Sequence, residues 1–445
     1  CAAFKKEYLS IPIGLQILDK ITIFNYMFAL VDCNNFYVSC ERVFQPRLEN
    51  SPVVILSNND GCVISRSDET KTLGIPMGAP AFKYLNIFKK EQVNVFSSNY
   101  PLYGDMSQRI MKILSVHTPN IEIYSIDEAF LDFRGFKYCD LEKEALLLKQ
   151  KIKRWTGIPV SIGIAPTKAL SKIANKIAKK YVHKTKGVYL IKTEKQISNA
   201  LKWTKVEDVW GIGRQYKKLL VKNGVTTADD FCKVPDQWVK KNMSILGLRL
   251  KKDLKGYSCI GLDEENPSKK SIATTRSFKE VIEKYWELEE RIATYASICS
   301  QKLRRQNSNC KTIIIFIRTS SHLPSNQQYC NSSLVNLPNP TNSAITIAKY
   351  ATIGLRRIFK KKYNYKKAGV ILTELTPSNS KQLNLFQNAC NTHENLMKIV
   401  DKIHLRFGEN FLKLGNQDLN QTWKMRQEHL SSRYTTDIKE IIKVK

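Results

Sequence analysis

The chain has no run of about 18 consecutive apolar residues, so hydropathy gives no membrane-spanning helix. It also lacks any Cys-x-x-Cys pair among its 11 cysteines. That scatter excludes a disulfide framework and a zinc site of ordinary spacing, and reads as reduced, buried thiols in a cytoplasm. Acid is scarce as well. Forty Asp and Glu stand against 71 Lys and Arg, a formal net charge of +31. An excess of that size points to nucleic acid as the partner. An anionic membrane surface is the alternative, but no basic amphipathic helix stands out. What is present, 42% hydrophobic and 10% aromatic residues, belongs to a folded protein. The length suggests about three domains.

The chain begins with Cys1, and its strongest strand signal starts at Met27. Residues 1–26 lack the charged start and small-residue cleavage site of a signal peptide. They read as an extension upstream of the functional start, without a catalytic role.

Three carboxylates interrupt apolar runs. Asp32 closes Met27-Phe28-Ala29-Leu30-Val31. Asp127 and Glu128 lie between Ile121–Ile126 and Ala129-Phe130-Leu131. The first stretch reads as a short buried strand and the second as a tight hairpin. Acids at the tips of buried strands cost desolvation energy unless something positive binds them. A divalent cation with a polyanionic substrate fits both this need and the basic charge. Two Mg²⁺ ions about 3.5–4 Å apart can serve a phosphoryl transfer, and they want shared hard oxygen ligands. Asp32 and Asp127 suit the bridging positions, Glu128 the ion at the attacking hydroxyl, and the backbone carbonyl of Cys33 a further ligand. Other Asp-Glu pairs occur at Asp68-Glu69 and Asp263-Glu264, so the strand context of Asp127-Glu128 carries the weight.

Strands are expected at 27–32, 52–57, 121–126, 129–134 and 159–165. A helix is expected over Lys168–Lys180, with lysines at 168, 172, 176, 179 and 180 placed mostly on one face for phosphate. Residues 200–265 read as a small helical domain centred on Val209-Trp210-Gly211-Ile212-Gly213-Arg214. Gly211 and Gly213 at a helix start expose N–H groups to an anion. In a helix, glycine turn, helix frame this suggests a helix-hairpin-helix on a DNA phosphate; two glycines in a tight loop is the plainer alternative. A third domain follows at 269–376, with strands at 271–277, 311–318 and 368–375 and helices near 285–305 and 342–360. Its stretch 301–376 carries 13 Lys or Arg against the single acid Glu374, so it should lie along a nucleic-acid backbone. Residues 377–445 are polar and asparagine-rich, read as partly disordered or loosely docked.

The run Asp32-Cys33-Asn34-Asn35-Phe36-Tyr37, followed by Tyr124-Ser125-Ile126-Asp127-Glu128-Ala129-Phe130, resembles the Y-family translesion DNA polymerases. Leu56 to Ile64, Phe96-Ser97-Ser98-Asn99-Tyr100, Gln382-Leu383-Asn384-Leu385-Phe386 and Ser432-Arg433-Tyr434-Thr435-Thr436 look like the UmuC subgroup, the catalytic subunits of bacterial DNA polymerase V. The likeness runs from Met27 to Lys445. It implies an α+β multidomain fold, a right-hand polymerase with a ferredoxin-like palm, small fingers, a helical helix-hairpin-helix thumb and an α/β little finger. The implied boundaries are palm 27–36 and 97–190, fingers 37–96, thumb 191–265, little finger 269–376, and a C-terminal tail 377–445 with a clamp-binding peptide and a partner-binding segment.

The resemblance also implies roles. Asp32, Asp127 and Glu128 match the metal-binding triad, and the cofactor is two Mg²⁺ ions. Tyr37 falls at the steric gate, where its ring fills the space of a ribose 2′-hydroxyl; an ordinary core tyrosine is the alternative. Asn34, Asn35 and Phe36 through Tyr37 offer backbone N–H groups to the dNTP triphosphate, together with Lys71 and Lys179. Val63 and Ile64 roof the nascent base pair. Many family members carry a tyrosine three residues before Lys71, where Asp68 stands here, so Asp68 should turn away from phosphate. Gln382 to Phe386 resembles the peptide that docks polymerases on the sliding clamp. The implied partners are primer-template DNA, dNTPs, a processed UmuD dimer, a RecA filament and the clamp, with no membrane, in the cytoplasm on the nucleoid. The implied activity is error-prone translesion synthesis in the SOS response. A catalytically silent DNA- and clamp-binding scaffold would be expected to lose the triad or the gate. A nucleotide cyclase on the same palm would have no use for the helix-hairpin-helix or the basic domain.

Overall fold

A computed structural model of the chain describes residues 27–134, 136, 138–262, 268–380, 393–408, 411–417 and 425–442. The extension 1–26 and the clamp peptide Gln382, Leu383, Asn384, Leu385 and Phe386 lie outside the described residues. The chain forms two compact units. One runs to Glu265 and takes in Gln427–Lys445; the other is Asn266–Arg426.

The first unit is organised around a five-stranded sheet. β1 (Phe28–Cys33) is an apolar run with only Asp32 partly exposed. Three strands of a second sheet follow: β2 (Val53–Leu56), β3 (Val63–Arg66) and β4 (Asn94–Ser97), in the order β3-β2-β4. The chain then returns with β5 (Ile121–Ile123), β6 (Glu128–Asp132), β7 (Val160–Ala165) and β8 (Val188–Leu190). The large sheet has the order β5-β6-β1-β7-β8. Its β1, β5, β6 and β7 pair antiparallel, in the βαββαβ order expected of a ferredoxin-like core, and β8 adds a parallel edge strand.

Register decides where the acids fall. Asp32 pairs across with Glu128 on one side and Ser161 on the other. The expected hairpin is present, with β5 and β6 joined through Tyr124–Asp127. Helices Tyr100–His117 and Leu141–Thr156 contribute buried side chains to one core cluster with β1, β6 and β7.

The helix Lys168–Lys180 occupies the span read from its periodicity and is capped by Thr167. It is packed tightly on β7, because Gly163 has no side chain: a Cβ there would strike the backbone of Ser171 and Asn175. Asn175 Nδ2 donates to Leu30 O and Ser161 O, fastening the helix to β1 and β7. The helical region beyond Thr193 includes Arg214–Lys222, begun by Gly213, and Ala228–Lys233, capped by Thr227.

The second unit is a four-stranded antiparallel sheet, order β11-β10-β12-β9: β9 (Ile272–Ile282), β10 (Ser308–Thr319), β11 (Cys330–Thr341) and β12 (Tyr365–Pro377). Helices Tyr285–Arg305 and Ala344–Ile358 pack on it and close a separate core. Strand β11 was not foreseen. Its sequence CNSSLVNLPNPT is polar and holds two prolines, which suit an edge strand, and it turns only Ser333, Val335 and Leu337 inward.

The tail 377–445 is not one loose segment. Glu394–Phe407 is a helix whose Asp401 receives Arg304 at 2.6 Å. Beyond Gln427 the chain is bound to the first unit through Ser97–His429 backbone pairing, Asn99–Ser431 hydrogen bonds and a Phe44–Tyr434 ring stack. The expected loose docking is therefore replaced at 427–434 by specific contacts.

Candidate active site

Asp32 and Glu128 are cross-strand neighbours, and Asp127 precedes β6 with its carbonyl accepting from Cys33 N at 2.9 Å. The sheet thus brings the three acids and the Cys33 backbone to one edge. Each carboxylate has its own partner. Lys179 Nζ lies 2.5 Å from Asp32, Lys172 Nζ 2.9 Å from Glu128, and Ser125 Oγ donates to Asp127 at 2.5 Å. Two ammonium groups of one helix thus supply the positive charge that buried acids require. Burial pushes the Asp32 carboxyl up to about 7; Lys179 pulls it down and Glu128 pushes it up.

Among the described residues, no group of three His, Cys, Asp or Glu side chains is gathered closely enough to hold a metal. The donor chemistry still fits a hard divalent cation. It consists of oxygens only, set together on adjacent strands, and a bound cation would offset the burial, and secondarily the Glu128 charge, that raise Asp32.

Tyr37 lies in the first turn of the helix Phe36–Phe44, half-buried. Its ring stacks on Tyr103 with centroids 4.5 Å apart and meets Tyr100 edge-on at 6.1 Å. Burial pushes its hydroxyl up to about 12, so it stays neutral.

Two expectations at the phosphate-facing residues and one at the nascent base pair need correction. Asn34 N donates to Pro159 O at 2.9 Å, so that amide is spent inside the fold. Asn35, in the left-handed region at φ 45°, starts the helix, whose first N–H groups from Phe36 onward have no intrahelical acceptor. Asp68 does not turn away: its Oδ1 takes Lys71 Nζ at 2.6 Å, and Asn35 Oδ1 takes the same ammonium at 2.8 Å. Partial burial works against ionisation of Asp68, but Lys71 outweighs it and holds the carboxyl below its usual range. Val63 is fully buried in the small sheet's own core, whereas Ile64 packs against the same cluster as Tyr37. Alternation along a strand sends the two to opposite faces, so of the pair only Ile64 lies on the Tyr37 side.

The lysine row of 168–180 is also divided. Lys168 is buried with Glu122 at 2.7 Å and is structural. Lys176 pairs with Asp208 at 2.5 Å. Sequence reasoning missed Trp210, whose Nε1 donates to Tyr124 OH at 2.9 Å on the hairpin that carries Asp127 and Glu128. Lys172 lies 4.4 Å over the Tyr124 ring. Beside this joint, Gly211 (φ +85°) and Gly213 form an exposed turn at the start of the helix Arg214–Lys222.

Residues 31–176 match the impB/mucB/samB family, 269–385 its C-terminal domain, and 394–444 a domain of unknown function (DUF4113). The chain is 40% identical to protein UmuC of Salmonella typhimurium, over 94% of this chain and all of that protein. The chain belongs to the UmuC group of Y-family DNA polymerases. Protein ImpB of Salmonella typhimurium is 38% identical over 93% of the chain and 99% of its own length. DNA polymerase IV of Pelotomaculum thermopropionicum is 26% identical over 85% of the chain and 92% of its own length. Among solved structures, a Y-family DNA polymerase chimera of Dbh and Dpo4 matches in fold with a TM-score of 0.65, at 24% identity, covering 79% of this chain and 99% of that one. The fold is thus the α+β right-hand polymerase type.

Proposed function

We propose that this Y-family polymerase performs error-prone translesion synthesis, joining dNTPs to a primer 3′-hydroxyl opposite damaged template in the SOS response. The carrying observation is that register sets Asp32 beside Glu128, next to Asp127, with Tyr37 in the first turn of the helix that follows β1. The large sheet is the palm, the β3-β2-β4 sheet the fingers, the Gly211-Ile212-Gly213 region the thumb, and the β9–β12 sheet the little finger.

Asp32, Asp127, Glu128 and the Cys33 carbonyl would hold two Mg²⁺ ions, and the chemistry supplied there when they are bound would be activation of the primer hydroxyl and neutralisation of charge on the leaving pyrophosphate. The protein's own groups do the rest. Lys179 and Lys172 compensate Asp32 and Glu128 in the free enzyme; with substrate bound, Lys179 turns to the triphosphate. Lys71 joins it from Asp68 and Asn35, and the helix N–H groups at Phe36 and Tyr37 bind phosphate oxygens. The Tyr37 ring lies under the sugar and clashes with a 2′-hydroxyl, rejecting ribonucleotides by repulsion. Ile64 covers the nascent pair. The thumb turn at Gly211 and Gly213 grips a duplex phosphate, tied through Trp210 to the catalytic hairpin.

The partners of this reading are primer-template DNA, dNTPs, a processed UmuD dimer, a RecA filament and, through Gln382 to Phe386, the sliding clamp. Primer extension past an abasic site, with and without UmuD, RecA and clamp, tests it. Bypass that rises when the partners are added is the expected result. No extension under any combination contradicts it.

A further inference from the structure

A buried chain of contacts leads from the C-terminal segment to Tyr37. Glu41 lies one turn beyond Tyr37 on the same helix and is fully buried. Its Oε1 accepts from Tyr103 OH at 2.7 Å and from Ser431 Oγ at 2.9 Å. Its Oε2 has no partner among the described residues. Tyr103, also fully buried, is the residue whose ring stacks on Tyr37. Ser431 is fixed in turn by Asn99, whose Nδ2 donates to Ser431 O at 3.1 Å and Oγ at 3.0 Å. Asn99 Oδ1 caps the helix that carries Tyr100 and Tyr103.

A carboxyl buried without a countercharge is a poor way to stabilise a core, and an apolar side chain of similar volume would serve better. What Glu41 supplies is position. One oxygen ties a tyrosine hydroxyl to the hydroxyl of a serine that lies 390 residues beyond Glu41 in sequence. Tyr103 has little freedom to tilt while both bonds hold, and a stacked neighbour follows it.

We propose that the C-terminal segment at Ser431 sets the position of the sugar gate Tyr37 through Glu41 and Tyr103, and thereby sets discrimination between deoxy- and ribonucleotides. The inference rests on the reading of Tyr37 as the gate. Ser431, Glu41 and Tyr103 are positioning residues; none of them touches the substrate. Part of the domain of unknown function thus acquires a role in substrate selection.

The test is single-nucleotide primer extension by full-length variants, comparing kcat/KM for a dNTP and its ribonucleotide. Tyr103→Phe keeps the ring and removes one bond to Glu41; Ser431→Ala removes the other. Each lowers the deoxy-to-ribo ratio by about three- to tenfold, mostly by admitting the ribonucleotide, since sub-ångström displacement of a positioning group is enough for such effects. Their double variant falls short of the product of the two, because both act on one network. Glu41→Gln, which keeps an acceptor at that place, retains most of the selectivity. Relaxed selectivity in Tyr37→Ala alongside wild-type ratios in Tyr103→Phe and Ser431→Ala overturns the coupling while leaving the gate. Lowered melting temperatures with unchanged ratios overturn it equally. An unchanged ratio in Tyr37→Ala overturns the gate reading itself.

Discussion

Gly163→Ala tests how the catalytic edge is assembled. A Cβ at position 163 has no space, because the Asn175 amide, the Ser171 carbonyl and the Asn175 Cα all lie within contact range. These are backbone atoms of the helix Lys168–Lys180, so no side chain can swing aside. The helix must lift from β7. Overpacking of this kind costs about 1–3 kcal/mol. The lift also stretches the bonds from Asn175 to Leu30 and Ser161, each contributing about 1 kcal/mol. A total of about 3–5 kcal/mol lowers the melting temperature by roughly 5–15 °C. The same displacement carries Lys172 and Lys179 away from Glu128 and Asp32, so primer extension at permissive temperature falls by about 10- to 100-fold. Thermal unfolding followed by circular dichroism, with extension measured on the same preparation, gives both numbers. Wild-type melting and wild-type extension in Gly163→Ala would refute the packing argument.

Further consequences concern other parts of the molecule. Lys168→Ala leaves Glu122 buried without its ammonium; the loss is about 3–5 kcal/mol in urea unfolding, whereas Lys168 serving as an exposed phosphate contact would cost almost none. Hydrogen bonds from the Thr227 hydroxyl and backbone hold the Asp230 carboxyl down to about 2. Its contribution to folding is therefore present above the unfolded value near 4 and is lost as pH falls through about 2; Asp230→Asn should flatten the stability profile in that window. Changing Leu385 and Phe386 together to Ala should weaken clamp binding, measured by surface plasmon resonance, without altering clamp-free extension.

What the sequence disclosed follows from how local each signal is. β1 and the helix 168–180 were legible because the apolar run of the one and the helical spacing of the lysines in the other lie within the segment itself. The acids could be placed because a run of buried apolar residues leaves a carboxylate only the strand end. Strand β11 was not legible, since an edge strand with one buried face needs few apolar residues and tolerates Pro338 and Pro340. The partners of the acids were missed for another reason. Lys179 and Lys172 reach Asp32 and Glu128 across 44 or more residues of chain, through a helix–strand contact that the missing Cβ of Gly163 permits. The position of Asp68 follows from attraction to Lys71, one helical turn away, and not from repulsion by phosphate. Val63 and Ile64 are neighbours on one strand, which sends them to opposite faces. The docking of Ser431 against Glu41 depends on hydroxyl contacts that leave no pattern in a polar tail.

The central claim is that the acids at the β1 and β6 edge carry nucleotidyl transfer. Primer extension by Asp127→Asn, with DNA binding measured by fluorescence anisotropy on the same protein, tests it most directly. The substitution keeps the side chain's shape and its hydrogen bond with Ser125 while removing the charge. The account predicts that extension is abolished and that DNA affinity stays within about twofold of wild type. Retained extension at unchanged affinity would contradict it.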